Sequence, residues 1–141
     1  MLGGSSSNFG YLVSEIVSTL DPESILELGC GSGEFLKNNI KYRNKVMAIQ
    51  RLFGNSDNQV LEELGYKVND QDILDFFRSG FDESFDLILC TDVIEHFLRS
   101  DALSIIDFSL YRGKYLLLVW PSAHPQRGDE SVFELKRYTI S

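Results

Sequence analysis

Apolar residues along this chain alternate between helical spacing and short unbroken runs, and the alternation predicts helices and strands in turn. Phe9, Leu12, Val13, Ile16, Val17 and Leu20 follow a helical period behind a cap at Ser7 or Asn8. Asp21-Pro22 ends that helix, because the residue before a proline avoids the helical region. The run at 24–29 predicts the first strand, and a helix over 33–42 follows with Phe35, Leu36 and Ile40. Lys45 to Ile49 reads as strand two. A helix over 55–64 turns Val60, Leu61 and Leu64 inward and stops at Gly65. Tyr66 to Val68 forms a short third strand, Asp70-Gln71-Asp72 a turn, and Ile73, Leu74, Phe76 and Phe77 one helical turn. Strand four is Phe85 to Cys90. One helix or two short ones span 93–111 with Leu103, Ile106 and Leu110 at helical spacing. Tyr115 to Trp120 is nearly all apolar, as a strand covered on both faces should be.

This order predicts an α/β fold: a doubly wound, mostly parallel sheet of about five strands, helices on both faces, joined by right-handed crossovers. Residues 1–7 read as a flexible lead-in, 8–121 as one domain, and 122–141 as a tail. That tail is the start of a segment that is missing, naturally trimmed, or completed by a partner chain. An uncovered edge strand invites pairing, so self-association is expected.

Composition narrows the function classes. A chain of 141 residues that is 43% hydrophobic can bury one real core. No apolar run approaches the ~20 residues of a membrane span, and the first residues lack a secretory signal. The net charge of −8 argues against binding nucleic acid, which runs on phosphate neutralisation. Lys37, Lys41, Arg43 and Lys45 cluster at a spacing expected of a solvated face. Cys30 and Cys90, each at a strand end, suggest no disulfide framework, so a reducing cytoplasm is the expected location.

The chemistry concentrates where strand one meets a glycine turn, in Ile25-Leu26-Glu27-Leu28-Gly29-Cys30-Gly31-Ser32-Gly33. A dinucleotide fingerprint needs glycine at position 34, and this chain has Glu34. A pyrophosphate also prefers bare N–H groups, whereas acids on both sides of the loop suit a ligand with an amine and a positive centre. The segment Glu27 to Gly33 resembles motif I of the Rossmann-like S-adenosylmethionine-dependent methyltransferases. Asp72-Ile73 and Phe85 through Phe97 resemble later segments of that family, in the right order. The resemblance covers roughly residues 8 to 121 and implies that this domain binds S-adenosylmethionine, leaving S-adenosylhomocysteine as product.

The resemblance also implies roles. Glu27 lies under the methionine moiety, with a contact to nearby backbone as its ordinary alternative, and Gly29, Cys30, Gly31 and Gly33 let the cofactor approach the main chain. Thr91 and Asp92 flank the same crevice, at the carboxyl ends of the strands where the winding direction switches. Asp72 accepts from the adenine amine and Ile73 packs on its ring, with Asp70 a rival and a capped turn the alternative. Family members place an acid at the end of strand two for the ribose hydroxyls; here stand Gln50 and then Arg51. A carboxylate accepts two charge-assisted bonds where an amide offers one carbonyl, a loss on the order of 1–2 kcal/mol.

On a helix, Asp92, Glu95 and His96 would share one face, a set suited to a divalent cation or to proton transfer. Related enzymes use such a segment with magnesium; others use it only to position the helix. His96 and Glu95 are the catalytic candidates, and no metal is assigned. His124, Trp120 and Tyr138 are weaker candidates near an acceptor, Trp120 suiting the core, and Arg127-Gly128-Asp129 is discounted as an adhesion signal. The leading expectation is a methyltransferase acting on a small molecule. A trimmed domain serving as a partner subunit is the rival, and an NAD-dependent oxidoreductase is disfavoured.

Overall fold

The structure is a computed structural model that describes residues 5–30, 33–50 and 56–120. Helix α1 (Ser5–Leu20) leads into β1 (Ile25–Leu28), then α2 (Glu34–Asn38), a 3-10 turn (Ile40–Lys45) and β2 (Val46–Ile49). Next come α3 (Ser56–Glu63), β3 (Lys67–Asn69), α4 (Ile73–Arg78), β4 (Phe85–Thr91), a second 3-10 turn (Ile94–His96), α5 (Arg99–Arg112) and β5 (Gly113–Val119). The strands form one sheet in the order β3-β2-β1-β4-β5, and every pairing is parallel. The expected doubly wound α/β architecture is present.

Side-chain alternation explains the winding. Ile25 on β1, Ala48 on β2, Leu87 and Leu89 on β4 and Leu117 on β5 pack with Val13, Val17, Leu36 and Leu61 from α1, α2 and α3. The opposite residues, among them Leu26, Leu28, Ile88, Cys90, Leu116 and Leu118, pack with Phe76 and Phe77 of α4 and Ile105 and Ile106 of α5. Three helices therefore cover one face and two the other. Phe77 and Phe108 stack with ring centroids 4.9 Å apart, joining α4 to α5. No helix among the described residues is long and apolar enough to cross a membrane.

Several expected details differ. Helix α1 begins at Ser5, ahead of the predicted cap at Ser7 or Asn8. It buries the i, i+4 pair Val13 and Val17, and this narrow stripe leaves Leu12 exposed. The helix predicted over 33–42 ends at Asn38, and Asn39 adopts φ −131, which rotates the following turn. Tyr42 then points inward and Ile40 outward. On α3 the buried apolar residue is Leu61, while Val60 faces solvent. The helix predicted over 93–111 is a 3-10 turn followed by α5, and β5 starts two residues before Tyr115. The basic cluster is a solvated face: Lys37, Lys41 and Arg43 are exposed, and Lys45 lies 3.7 Å from Glu23.

Tyr66 precedes β3 rather than beginning it. Its hydroxyl donates to the Leu36 carbonyl at 2.6 Å and approaches that of Asn39 at 3.3 Å. One phenol thus ties the end of α2 to the strand side of the domain and fixes the helix that leaves the glycine turn. Tyr66→Phe should lower stability by about 0.5–1.5 kcal/mol, seen as a lower urea midpoint with an unchanged slope.

Candidate functional site

The ends of β1 and β4 meet at one crevice. Gly29 follows β1 with φ +68, and its N–H donates to the Ile49 carbonyl at 2.8 Å, bending the chain over the end of β2. A Cβ added there would lie 2.8 Å from Val93 Cγ2 and 3.7 Å from Ile73 Cδ1. Three segments far apart in sequence therefore converge on this corner: the β1 turn, the start of α4 and the bend after β4. Gly33, at φ +84, donates to the Cys30 carbonyl at 2.8 Å and precedes α2; a Cβ there would meet Leu61 Cδ2 at 2.6 Å.

At both positions the side lacking a Cβ faces the protein's own side chains. Close packing, not space for a ligand, is what the structure demands of Gly29 and Gly33. Their amides are also engaged internally, so neither offers the bare N–H that a phosphate needs. Gly31, Arg51, His124, Arg127-Gly128-Asp129 and Tyr138 lie outside the described residues.

Glu27 sits in the central strand, 2% exposed, in register with Ala48 and Leu89. Its Oε1 is buried and accepts no hydrogen bond among the described residues. The backbone contact that was the alternative reading is therefore not made by this oxygen. Burial disfavours the charged form and pushes the carboxyl up to about 8 from an ordinary 4.5. The field of that carboxyl is felt by neighbours. Burial, then the Glu27 charge, raise the Tyr66 phenol, against a lowering effect of Arg43. Burial raises the Cys90 thiol further, followed by the charges of Glu95, Glu27 and Asp92. A protonated, buried Cys90 is no nucleophile, but it reports three acids around the ends of β1 and β4.

The other expected residues lie around this corner. Cys30 is buried, and Ile73 touches the corner as described. The Gln50 amide donates to the Asn69 carbonyl at 2.9 Å, holding the end of β2 to β3. Asp72 begins α4 with its main-chain carbonyl, which accepts from Phe76, and its side chain makes no capping bond. Asp70 is exposed while Asp72 is half-buried. Thr91 ends β4 and borders a cavity of about 20 Å³ with Val13, Glu34 and Phe35, too small for an organic ligand. Trp120 packs partly buried against the core, as its alternative reading held.

The shared helical face of Asp92, Glu95 and His96 does not form. Asp92 stands at φ +58, its N–H donating to the Val119 carbonyl at 2.8 Å, before the 3-10 turn begins. The tight hydrogen bond to β5 and the left-handed bend override the i, i+3, i+4 geometry. Glu95 and His96 do meet, at 3.6 Å between Oε2 and Nε2, the first side chain 11% exposed and the second 72%. Among the described residues no three His, Cys, Asp or Glu side chains gather as a metal site.

Asn58 was not anticipated. It is 3% exposed, and neither its amide oxygen nor its nitrogen has a hydrogen-bond partner among the described residues. It lies one turn before Leu61, on the face of α3 that packs against Gly33. The signal was present in the sequence as a polar residue at helical spacing from Leu61.

Residues 26–117 match the family described as Methyltransferase domain. No curated protein matches the chain. Among solved structures, it is similar to the N-methyltransferase NodS of Bradyrhizobium japonicum in complex with S-adenosylhomocysteine, at 19% identity and TM-score 0.64, covering 79% of this chain and 59% of that one. An amino pentose methyltransferase of Micromonospora echinaspora, with S-adenosylmethionine bound, is 16% identical with TM-score 0.65, covering 88% and 54%. An O-methyltransferase family protein of Burkholderia thailandensis is 15% identical with TM-score 0.59, covering 80% and 39%. The chain thus spans between 39% and 59% of the lengths of these three proteins.

Two predictions rest on the orphaned groups. Asn58→Leu replaces an amide that has no hydrogen-bond partner among the described residues with an apolar group of similar shape and should stabilise the protein by about 1–3 kcal/mol, read as a higher thermal midpoint. Glu27 keeps its proton in the folded state up to about pH 8, while the unfolded chain releases it above 4.5. Its contribution is therefore fully present below 4.5 and falls by about 1.4 kcal/mol per pH unit up to about 8. Glu27→Gln should remove that slope, so the variant gains on the parent steadily as denaturation is repeated from pH 5 to pH 8.

Proposed function

The chain belongs to the methyltransferase-domain family, and from that membership we propose that it binds S-adenosylmethionine at the β1 corner and methylates a small molecule. The carrying observation is the buried, hydrogen-bond-poor carboxyl of Glu27 beneath a turn whose described glycine amides are already used. Such a corner suits a cationic nucleoside better than an anionic one. The cofactors bound in two similar structures support the same reading.

In this reading Glu27, Gly29, Cys30, Gly31 and Gly33 border the amino-acid and sugar portions. Gln50 and Arg51 stand at the ribose, Asp72 and Ile73 at the adenine, and Thr91 and Asp92 at the mouth of the crevice. The cofactor brings a methyl group on a sulfonium, so its activation is already supplied. The protein's work is alignment, which can be worth several powers of ten in rate. Glu27 places acceptor-type oxygen near the positive end, and Ile73 and Val93, packed on Gly29, keep the corner rigid and dry. For an oxygen acceptor, His96 Nε2 takes the hydroxyl proton, with Glu95 Oε2 3.6 Å away. The exposure of His96 leaves it open to an incoming acceptor. The net charge of −8 favours a small molecule over nucleic acid.

One residue favours the second reading, a partner subunit that binds cofactor weakly. Gln50 replaces the acid that would accept from both ribose hydroxyls. Calorimetric titration with S-adenosylmethionine and S-adenosylhomocysteine separates the two: micromolar binding is expected, and no heat up to millimolar ligand would leave only the subunit role. Gln50→Glu should tighten binding about tenfold, on the order of 1–2 kcal/mol, and an unchanged affinity would mean that position 50 does not face the sugar.

A further inference from the structure

The strand that carries the glycine turn buries an acid with no cation paired to it among the described residues. Glu27 lies two residues before Gly29, so their Cα atoms are about 7 Å apart along the strand. The side chain points to the face covered by α1, α2 and α3, whose buried residues there are Val13, Val17, Leu36, Leu61 and Asn58, none of them charged. From the segment before β3 and from β4, the titratable groups that feel it are the Tyr66 phenol and the Cys90 thiol, both neutral well beyond physiological pH. Asp92 and Glu95 add only further negative charge at the end of β4. Arg43, which lowers the Tyr66 phenol, is exposed to solvent. Among the described residues no cation neutralises Glu27, which leaves its carboxyl open to the field of a bound cation.

Resting on the cofactor reading above, we propose that Glu27 couples cofactor binding to a proton: it gives up its proton to solvent when a sulfonium nucleoside occupies the β1 corner and takes one back when the neutral thioether product remains. The two ligands share adenosine, ammonium and carboxylate groups and differ by one methyl and one positive charge. As a general magnitude, a unit charge within about 10 Å of a carboxyl, at an effective dielectric near 20, moves it by about one pH unit or more. Starting near 8, Glu27 then passes from mostly protonated to mostly ionised at pH 7 when the sulfonium is present. The same charge balance favours exchange of product for fresh cofactor, because the loss of the sulfonium removes the ion pair.

The experiment is calorimetric titration of the whole chain with each ligand at pH 7, in buffers of differing ionisation enthalpy, which counts protons released. The shared amino group contributes equally to both ligands, so the difference between them isolates the sulfonium. S-adenosylmethionine should release about half a proton or more beyond S-adenosylhomocysteine. The affinity ratio of the two ligands should rise about tenfold in favour of S-adenosylmethionine from pH 6 to pH 8, and Glu27→Gln should flatten both signals. Equal proton counts and a flat ratio in the parent chain would overturn the coupling while leaving cofactor binding intact. So would a Glu27→Gln variant that keeps the difference. Failure of the parent to bind either ligand would overturn this proposal together with the cofactor reading. The ratio in the parent decides the matter even if the variant does not fold.

Discussion

A carboxyl group in the middle strand of a parallel sheet is an expensive choice. Strand β1 has β2 on one side, β4 on the other and helices above and below, so any side chain on it is buried whatever its chemistry. Ile25, Leu26 and Leu28 satisfy that environment; Glu27 does not, with one carboxyl oxygen lacking a hydrogen bond among the described residues and the group reluctant to ionise. A fold tolerates such a residue in its most enclosed strand when something other than stability maintains it. Around that one group the site is arranged: the corner two residues later, the acids at the end of β4, and the helices that exclude water.

The glycines are the second half of the same constraint. At Gly29 and Gly33 the chain must take left-handed conformations, and the absent Cβ atoms admit Val93 and Leu61 into contact with the backbone. The corner is thus locked to α3 on one face and to the β4 bend on the other. Its rigidity comes from packing, as preorganisation requires. Tyr66 reinforces it from below, holding the end of α2 through a single hydroxyl.

Much of this was legible in the order of residues. Buried parallel strands announce themselves as unbroken apolar runs, and all five strands stand where those runs stand, shifted at most by two residues. The glycine turn and its acid were equally plain, because few segments combine an apolar strand with three alternate glycines. What could not be read was rotation. Leu12, Ile40 and Val60 are apolar and at helical spacing, yet each faces solvent, since which residue of an adjacent pair turns inward depends on how the helix is set against the sheet. The Asp92-x-x-Glu95-His96 segment failed for a related reason. Its spacing speaks of a helix, but the main-chain bond from Asp92 to Val119 is a tertiary contact that local sequence does not encode.

Gln50 and Glu27 are best considered together. An acid at the end of β2 would strengthen cofactor binding through the sugar, identically for a charged substrate and a neutral product, and such uniform binding does nothing to separate them. A buried acid beneath the corner would, in the proposed reading, act on the one charge that methyl transfer removes. In the proposed cofactor mode, glutamine at the sugar and glutamate in the strand would move binding energy from the part of the ligand that stays the same to the part that changes. Weak overall affinity and strong discrimination between the two ligands are then compatible outcomes of one arrangement, and the amide at position 50 need not signal a domain that has lost its chemistry.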